Sequence, residues 1–293
     1  MSILDTLTEN EFQNLPLVVR GESKEVRYLG DGKVVIKFLP TIYSFTSNRA
    51  GIVEGSDTLR LQATRILVDV LRENGMNHAY NEVTDKWVLA DLLLQRQTEK
   101  CLESFRPSDL TDDEILQLDY APPIEVVVKR MHSGTSKHRY FGMSGSRVRD
   151  SHPLFANAKI WDEDAYPVPI VRFDWRNPLK DDKGKNLADE ILPEPVANWF
   201  IDVQAATRTA LSAYEAINDF LGDNDIVCYD LCLFISEDGK TIFGEISQDC
   251  GRYRHFDLGS LDKDVWRTGG SSEMVLEKWG LLLTMISSKG GVS

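Results

Sequence analysis

Residues 239–254 read GKTIFGEISQDCGRYR, and this stretch restricts the fold more than any other. Asp238-Gly239 is a hairpin-turn pair, and the apolar residues after it make a short strand. The strand leaves through a polar exit carrying Glu245, Ser247, Asp249 and Arg252. A surface turn has no use for the apolar strand before it. Acidic groups and an arginine at the end of a buried strand suit a site for a metal-bound phosphate. Spacing alone leaves two readings open, a polar hairpin exit and an active-site floor, so the rest of the chain must supply the partners.

With 293 residues, 42% of them hydrophobic, the chain buries a real core, as one large domain or as two lobes. A net charge of −13 argues against a nucleic-acid or anionic-membrane partner, which would call for a basic surface. It leaves room for a local cluster of Lys and Arg around a small anion. No apolar run approaches the ~20 residues of a membrane span. The opening MSILDTLTENEF is acidic and lacks a charged-then-apolar signal, so a cytoplasmic protein is expected. Cys101, Cys228, Cys232 and Cys250 form no CxxC pair and read as buried structural thiols rather than metal ligands.

Along the chain, residues 1–14 read as a short arm. LPLVVRGESKEVRYLGDGKVVIKFLP then alternates as a meander around two glycine turns. Lys24 follows Gly21 in the first turn and Lys37 ends the next strand; a glycine turn with a lysine can fold over phosphates, although a solvated lysine is the commoner case. A helix is expected from a Ser56 or Asp57 cap to Asn74-Gly75, and an acidic helix start near Thr111. Ala121-Pro122-Pro123 marks a lobe boundary, dividing 1–122 from 123–293, and IEVVVKR after it is a buried strand. From Met131 to Arg149 the chain turns basic and Gly/Ser-rich, either a clamp for a phosphate or carboxylate or a solvated loop. Residues 166–175 read as an edge strand bounded by prolines, and Val196–Leu221 as one long amphipathic helix. The strand IVCYDLCLFI leads into the opening stretch, and a helix around Met274–Ile286 closes the fold.

In order, these stretches resemble the SAICAR synthetases, the phosphoribosylaminoimidazole-succinocarboxamide synthases of purine biosynthesis. The family's Gly-Lys-x-Lys turn corresponds to Gly21-Glu22-Ser23-Lys24, its Ile-Glu-Gly to Val53-Glu54-Gly55, and its Glu-x-Val-Val-Arg-Asn strand to Glu125–Arg130, with Gly134-Thr135 in the loop beyond. Its Pro-Ile-Val-x-Phe strand corresponds to Pro169–Phe173. The late Asp-Glu-x-Ser-Pro-Asp-x-x-Arg motif falls on Gly244–Arg252, and Met-Asp-Lys-Asp-x-x-Arg on Leu261–Arg267. Six motifs in order cover most of the chain, though none is decisive alone.

The resemblance implies a two-lobed α+β fold related to the nucleotide-binding architecture of ATP-grasp enzymes and protein kinases. Residues 1–122 would carry the phosphate-binding turn, and 123–293 the substrate and metal site. It implies ATP bound by Gly21, Lys24, Lys37 and Glu125, and Mg2+ held by Glu245, Asp249 and Asp230. The acceptor would be bound by Lys129, Arg130, Thr135, Arg252 and Arg267, with Asp249, Arg252 and Lys129 as the catalytic set. The implied reaction activates the carboxylate of a phosphoribosyl-aminoimidazole nucleotide with ATP; the amine of aspartate or a related amino acid then displaces phosphate to form an amide. Partners would be these small molecules, with a homo-oligomer left open.

Departures cluster on the acceptor and metal side. The family strand Asp-Phe-Lys-x-Glu maps here with Asp, Lys and Glu on Cys228, Asp230 and Cys232, or, with a shorter hairpin, on Asp230, Cys232 and Phe234. Either register loses the lysine and one acid. Gly244 replaces the first acid of the Asp-Glu pair, and Lys129 an arginine. A ligase with an altered acceptor is the leading expectation. A nucleotide-binding or regulatory relative without turnover is the second, and a small-molecule kinase the third.

Overall fold

The computed structural model describes residues 2–44, 49–95, 105–133, 143–153, 155–161, 165–176, 182, 187 and 189–288. Two one-turn helices, α1 (Ile3–Thr6) and α2 (Glu9–Asn14), open the chain, each closed by a capping box. A meander follows: β1 (Leu17–Arg20), β2 (Lys24–Gly30) and β3 (Lys33–Phe38). Asp31 and Gly32 join β2 to β3 with φ of 52° and 68°, the double left-handed pair of a tight hairpin. In β3, Val34, Ile36 and Phe38 face the main core, while Val35 and Lys37 face α2 and Trp87.

Next come a ribbon of β4 (Thr41–Ser44) and β5 (Arg49–Ile52), helix α3 (Ser56–Glu73), and strands β6 (Tyr80–Val83) and β7 (Val88–Asp91). Gly55, with φ +91°, is the N-cap of α3, in place of the expected Ser56 or Asp57. The first sheet is antiparallel, ordered β1-β2-β3-β7-β6. A single turn, α4 (Asp112–Ile115), lies on the path to the second sheet and is capped by Thr111.

The second sheet contains β8 (Ile124–Met131), β9 (Ala165–Trp175), β10 (Glu190–Leu192), β11 (Ile226–Ile235), β12 (Ile242–Phe243), β13 (Gly251–His255) and β14 (Gly259–Ser260). Its order is β10-β9-β8-β11-β13-β14, with β12 paired to the end of β11. Strand β9 is not an edge: β10 covers its last three residues. The expected long helix is two. α5 (Glu194–Ala197) ends at a turn carrying Trp199 and Phe200, and α6 (Val203–Gly222) starts afresh because the Asp202 carboxylate accepts from the Ala205 N–H. Helix α7 (Asp264–Arg267) and α8 (Ser272–Ser287) finish the described chain, α8 packing on α3. One large core runs between α3, α6 and both sheets. Among the described residues no helix is long and apolar enough to cross a membrane. The result is the mixed helix-and-sheet class expected.

Candidate active site

In the opening stretch Ile242–Phe243 is a two-residue strand and Gly251 begins β13, so the polar segment lies between two strands. Gly244 then turns the chain at φ +89°, and Glu245 to Gln248 run irregularly but buried, so this is no surface hairpin exit. Gln248 ties the segment inward by donating to the carbonyls of Leu59 and Trp279 (3.3 and 3.4 Å). That anchoring aims Glu245 at the first turn of the chain. Lys24 Nζ lies 3.0 Å from Glu245 Oε2, and Arg60 Nη1 lies 3.7 Å from the same oxygen. The Ser247 hydroxyl donates to Oε1 and accepts from the Asp249 N–H at 3.1 Å. Asp249 itself pairs with Lys263 at 2.8 Å. Burial pushes both carboxyls up, but Arg60 and Lys24 at Glu245, and Lys263 and Arg60 at Asp249, outweigh it and hold both below the usual range.

A second cluster stands on one face of the large sheet. Register places Glu125, Val127 and Lys129 of β8 opposite Asp174, Arg172 and Ile170 of β9, and Lys129 opposite Asp230 of β11. Lys129 Nζ is 3.3 Å from Asp230 Oδ2 and donates to the Ser133 carbonyl at 3.2 Å. Arg252 from β13 donates to the same carboxylate oxygen. Burial opposes the Asp230 charge, yet Arg252 and Lys129 hold its carboxyl well below the ordinary range; burial lowers Lys129. Around this pair, Arg252, Arg254 and Arg267 interleave with Asp262 and Asp264, Arg267 meeting Asp264 at 2.5 Å. Arg172 and Asp174 form a buried fork with bonds of 2.7 and 2.6 Å.

A bulge lies between Cys228 and Asp230, where β11 pairs with β13. It leaves Cys228 in the main core, beneath Tyr214 of α6, and turns Asp230, Cys232 and Phe234 to the charged face. Phe234 meets Phe243 with ring centroids 5.7 Å apart, and Arg176 lies 5.9 Å from its ring. A Cβ at Gly244 would stand 2.9 Å from the Phe234 ring, so ring and glycine fit only together.

The sequence-selected residues thus separate. Gly21 closes the first turn, its N–H donating to the Lys24 carbonyl at 2.9 Å, and Lys24 reaches Glu245. Lys37 points to the other face of its sheet and pairs with Glu9. Glu125 starts β8 beside Arg176 at 3.4 Å, its carboxyl raised by burial. Lys129, Asp230 and Arg252 meet; Arg267 joins through Asp264. Arg130 points away from Lys129, toward α6, and donates to the Tyr166 carbonyl, because neighbours on a strand take opposite faces. Thr135 lies outside the described residues.

Of the expected metal ligands, Glu245 and Asp249 are neighbours, whereas Asp230 is held by Lys129 and Arg252. Among the described residues no group of three His, Cys, Asp or Glu side chains could hold a metal. Two ionised carboxylates beside a lysine nevertheless fit Mg2+, which takes one or two acids from protein and the rest from phosphate and water. Arg60 was not among the sequence-selected residues, and Lys263, inside the matched Leu261–Arg267 stretch, was given no role there. Ser56, Arg60 and Thr64 recur at four-residue spacing within an amphipathic helix, and that polar stripe was the available signal.

No family model matches the chain. It is 26% identical over 310 residues to the bifunctional cordycepin biosynthesis cluster protein 3 of Cordyceps militaris, covering 89% of this chain but 32% of that protein. The chain therefore spans about a third of that relative's length. It is 23% identical over 257 residues to the phosphoribosylaminoimidazole-succinocarboxamide synthase of Thermococcus kodakarensis, covering 86% of this chain and 89% of that one. A SAICAR synthetase solved in complex with ADP superposes with a TM-score of 0.67 at 22% identity, over 94% of this chain and 98% of that one. The chain has the SAICAR synthetase fold.

Proposed function

We propose that the chain is an ATP-dependent carboxylate–amine ligase of the SAICAR synthetase type, with a nucleotide-binding lobe at 1–122 and a substrate lobe at 123–293. It would join the carboxylate of a phosphoribosyl-aminoimidazole-type nucleotide to the amine of aspartate or a related amino acid. One observation carries this reading: Lys24 and Glu245, 221 residues apart, meet in a chain of this fold. Two antiparallel sheets, one before and one after Pro122-Pro123, are in keeping with the ATP-grasp and kinase relation, which belongs to the same proposal.

In this reading Lys24 neutralises phosphate oxygens, and Glu245 and Asp249 would hold Mg2+. Mg2+ bound there supplies charge neutralisation on the nucleotide phosphates. Lys129, Arg252 and Arg267 bind the anionic groups of the acceptor by exchanging part of their internal carboxylate pairing for substrate. The acceptor carboxylate takes the terminal phosphoryl group; the amine then forms the C–N bond as the C–O bond to phosphate breaks. Positioning and charge neutralisation do most of this work. The relative of higher identity is named for cordycepin biosynthesis, so the acceptor is proposed by class and extends to nucleotide modification.

The second reading, a nucleotide-binding or regulatory relative without turnover, is favoured by one feature: the charged face of β11 carries Cys232 and Phe234 beyond Asp230. A single assay separates the two. ADP and phosphate released only with both an imidazole carboxylate and an amino acid, with an amide product by mass spectrometry, is the expected result. ATP binding without turnover across a panel of carboxylates and amines would replace the ligase with the second reading.

A further inference from the structure

Helix α3 buries a polar stripe of Ser56, Arg60 and Thr64, one per turn. Arg60 is fully buried. One edge of its guanidinium is fastened, Nη2 donating to the carbonyls of Leu39 at 2.6 Å and Ser23 at 3.3 Å. Those bonds pin the turn that carries Lys24. The rest of the guanidinium is free: among the described residues Nε and Nη1 donate to no acceptor. It faces Glu245, with Nη1 3.7 Å from Oε2, an ion pair too long for a hydrogen bond. Lys24 Nζ reaches that same oxygen at 3.0 Å. Both cations flank the Phe38 ring, Arg60 at 5.3 Å and Lys24 at 5.9 Å from its centroid. The buried Tyr80 hydroxyl, close enough to feel the Glu245 charge, is likewise without a hydrogen-bond partner.

Leaving two donors of a buried guanidinium unmade costs free energy that a purely structural arginine would have no reason to carry. A fixed guanidinium with Nη1 unpaired beside an ammonium can meet two oxygens of a phosphoryl group, one from each cation, better than the single carboxylate oxygen the two now share. We propose that Arg60 and Lys24 form a two-cation subsite for a terminal phosphoryl group, and that Glu245 occupies it as an internal stand-in in the free protein. The inference rests on the phosphate-donor half of the proposed function for the identity of its ligand, and it adds a binding residue and a competition. Nucleotide entry turns Glu245 out of the pair, and Lys24, partly exposed beside the fully buried Arg60, is the side from which phosphate arrives.

The test is calorimetric titration of inorganic tripolyphosphate in metal-free buffer, with melting temperatures recorded for every variant. Arg60→Met should weaken binding by roughly tenfold or more, the effect of losing charge-assisted bonds. Arg60→Lys, which keeps the charge but cannot both hold the Leu39 and Ser23 carbonyls and present Nη1, should weaken it by about threefold. Glu245→Gln removes the competitor and should tighten binding by about threefold to tenfold. An Arg60→Met protein that melts like the wild type and binds tripolyphosphate equally well overturns the proposal, as does Glu245→Gln binding no tighter. Should Arg60→Met fail to fold, the Glu245→Gln comparison alone decides. Tripolyphosphate binding in this order without any binding of ATP would leave the subsite standing and sink the ligase. No tripolyphosphate binding by the wild type at millimolar concentration overturns the subsite, whatever the ligase assay gives.

Discussion

At the Lys24 end of the candidate site, Lys24 and Arg60 converge on one Glu245 carboxylate oxygen, and two arginine nitrogens are left over. At the Asp230 end, three aspartates and four cations interlock: Lys129, Arg252, Arg254 and Arg267 with Asp230, Asp262 and Asp264. The first end is loosely paired and matches the family pattern at Lys24, Glu245 and Asp249. The second is tightly paired and adjoins the departures at Cys232, Phe234 and Gly244. A loosely paired cluster can trade an internal partner for a ligand at little cost, whereas an interlocked one must break several buried ion pairs to do so. Under the proposed function, the difference puts phosphate binding at the first end and leaves the second as a structural keystone beside the family departures.

The largest effect that can break this comparison is on stability. Asp230→Ala strands Lys129 and Arg252 in a buried position without their shared counter-ion, and should cost about 3–5 kcal/mol. Lys24→Met leaves the buried Glu245 with Arg60 and Ser247 as partners, and should cost less than Asp230→Ala, about 1–2 kcal/mol, while abolishing tight nucleotide binding. Urea denaturation with ATP titration on the same two proteins checks both. Equal losses of stability would mean that the ends are not different in kind.

Gly244 comes next in size. Its φ of +89° and the 2.9 Å approach of a Cβ to the Phe234 ring make Gly244→Ala strained twice, for a cost of about 1–3 kcal/mol. Adding Phe234→Ala relieves the clash but not the backbone, so the double variant should lose less than the sum of the two singles. Strict additivity in denaturation would separate the ring from the glycine and remove the idea that they replaced two acids as a unit.

Acid dependence sharpens the contrast from another side. The folded-state carboxyl of Asp230 titrates below its unfolded value, near 3.9, so its contribution is whole above that pH and is lost as the pH falls through the folded value. The wild type should therefore lose stability steeply below about pH 4. Asp230→Asn should flatten part of that slope, read from melting temperatures between pH 3 and 6. An unchanged slope would place the acid sensitivity in the Glu245–Asp249 pair, which is shifted in the same direction.

Much of this was legible in residues. Alternation in KVVIKF and IEVVVKR gave the strands, and the 245–252 motif gave the acids of the Lys24 end. Two things were not. A bulge at Cys228–Asp230 has no composition signal, because it is fixed by how β13 pairs with β11, and it sets which residues of β11 share the face of Lys129 and Arg252. Helix capping inside 196–221 was hidden for a related reason: apolar periodicity runs through the Trp199-Phe200 turn, and only the Asp202 bond to the Ala205 N–H breaks it. Arg60 was legible only as part of the Ser56–Arg60–Thr64 stripe, because a lone arginine in a helix reads as solvated until the helix is packed.

Lys37 supplies the smallest and cleanest test. A single-strand period puts it opposite Phe38, and Phe38 is the ring under Lys24 and Arg60. Lys37 instead lies over Trp87 and pairs with Glu9 of α2, half exposed to water. Such a surface pair is worth about 0–1 kcal/mol. Lys37→Ala should therefore lower stability by no more than that and leave ATP affinity within twofold, while Lys24→Met, thirteen residues away along the same hairpin, removes it. If Lys37→Ala weakens ATP as much as Lys24→Met does, phosphate is bound from the α2 side of the sheet, and the Lys24–Arg60–Glu245 cluster is a fold-stabilising ion pair rather than the nucleotide end of the cleft.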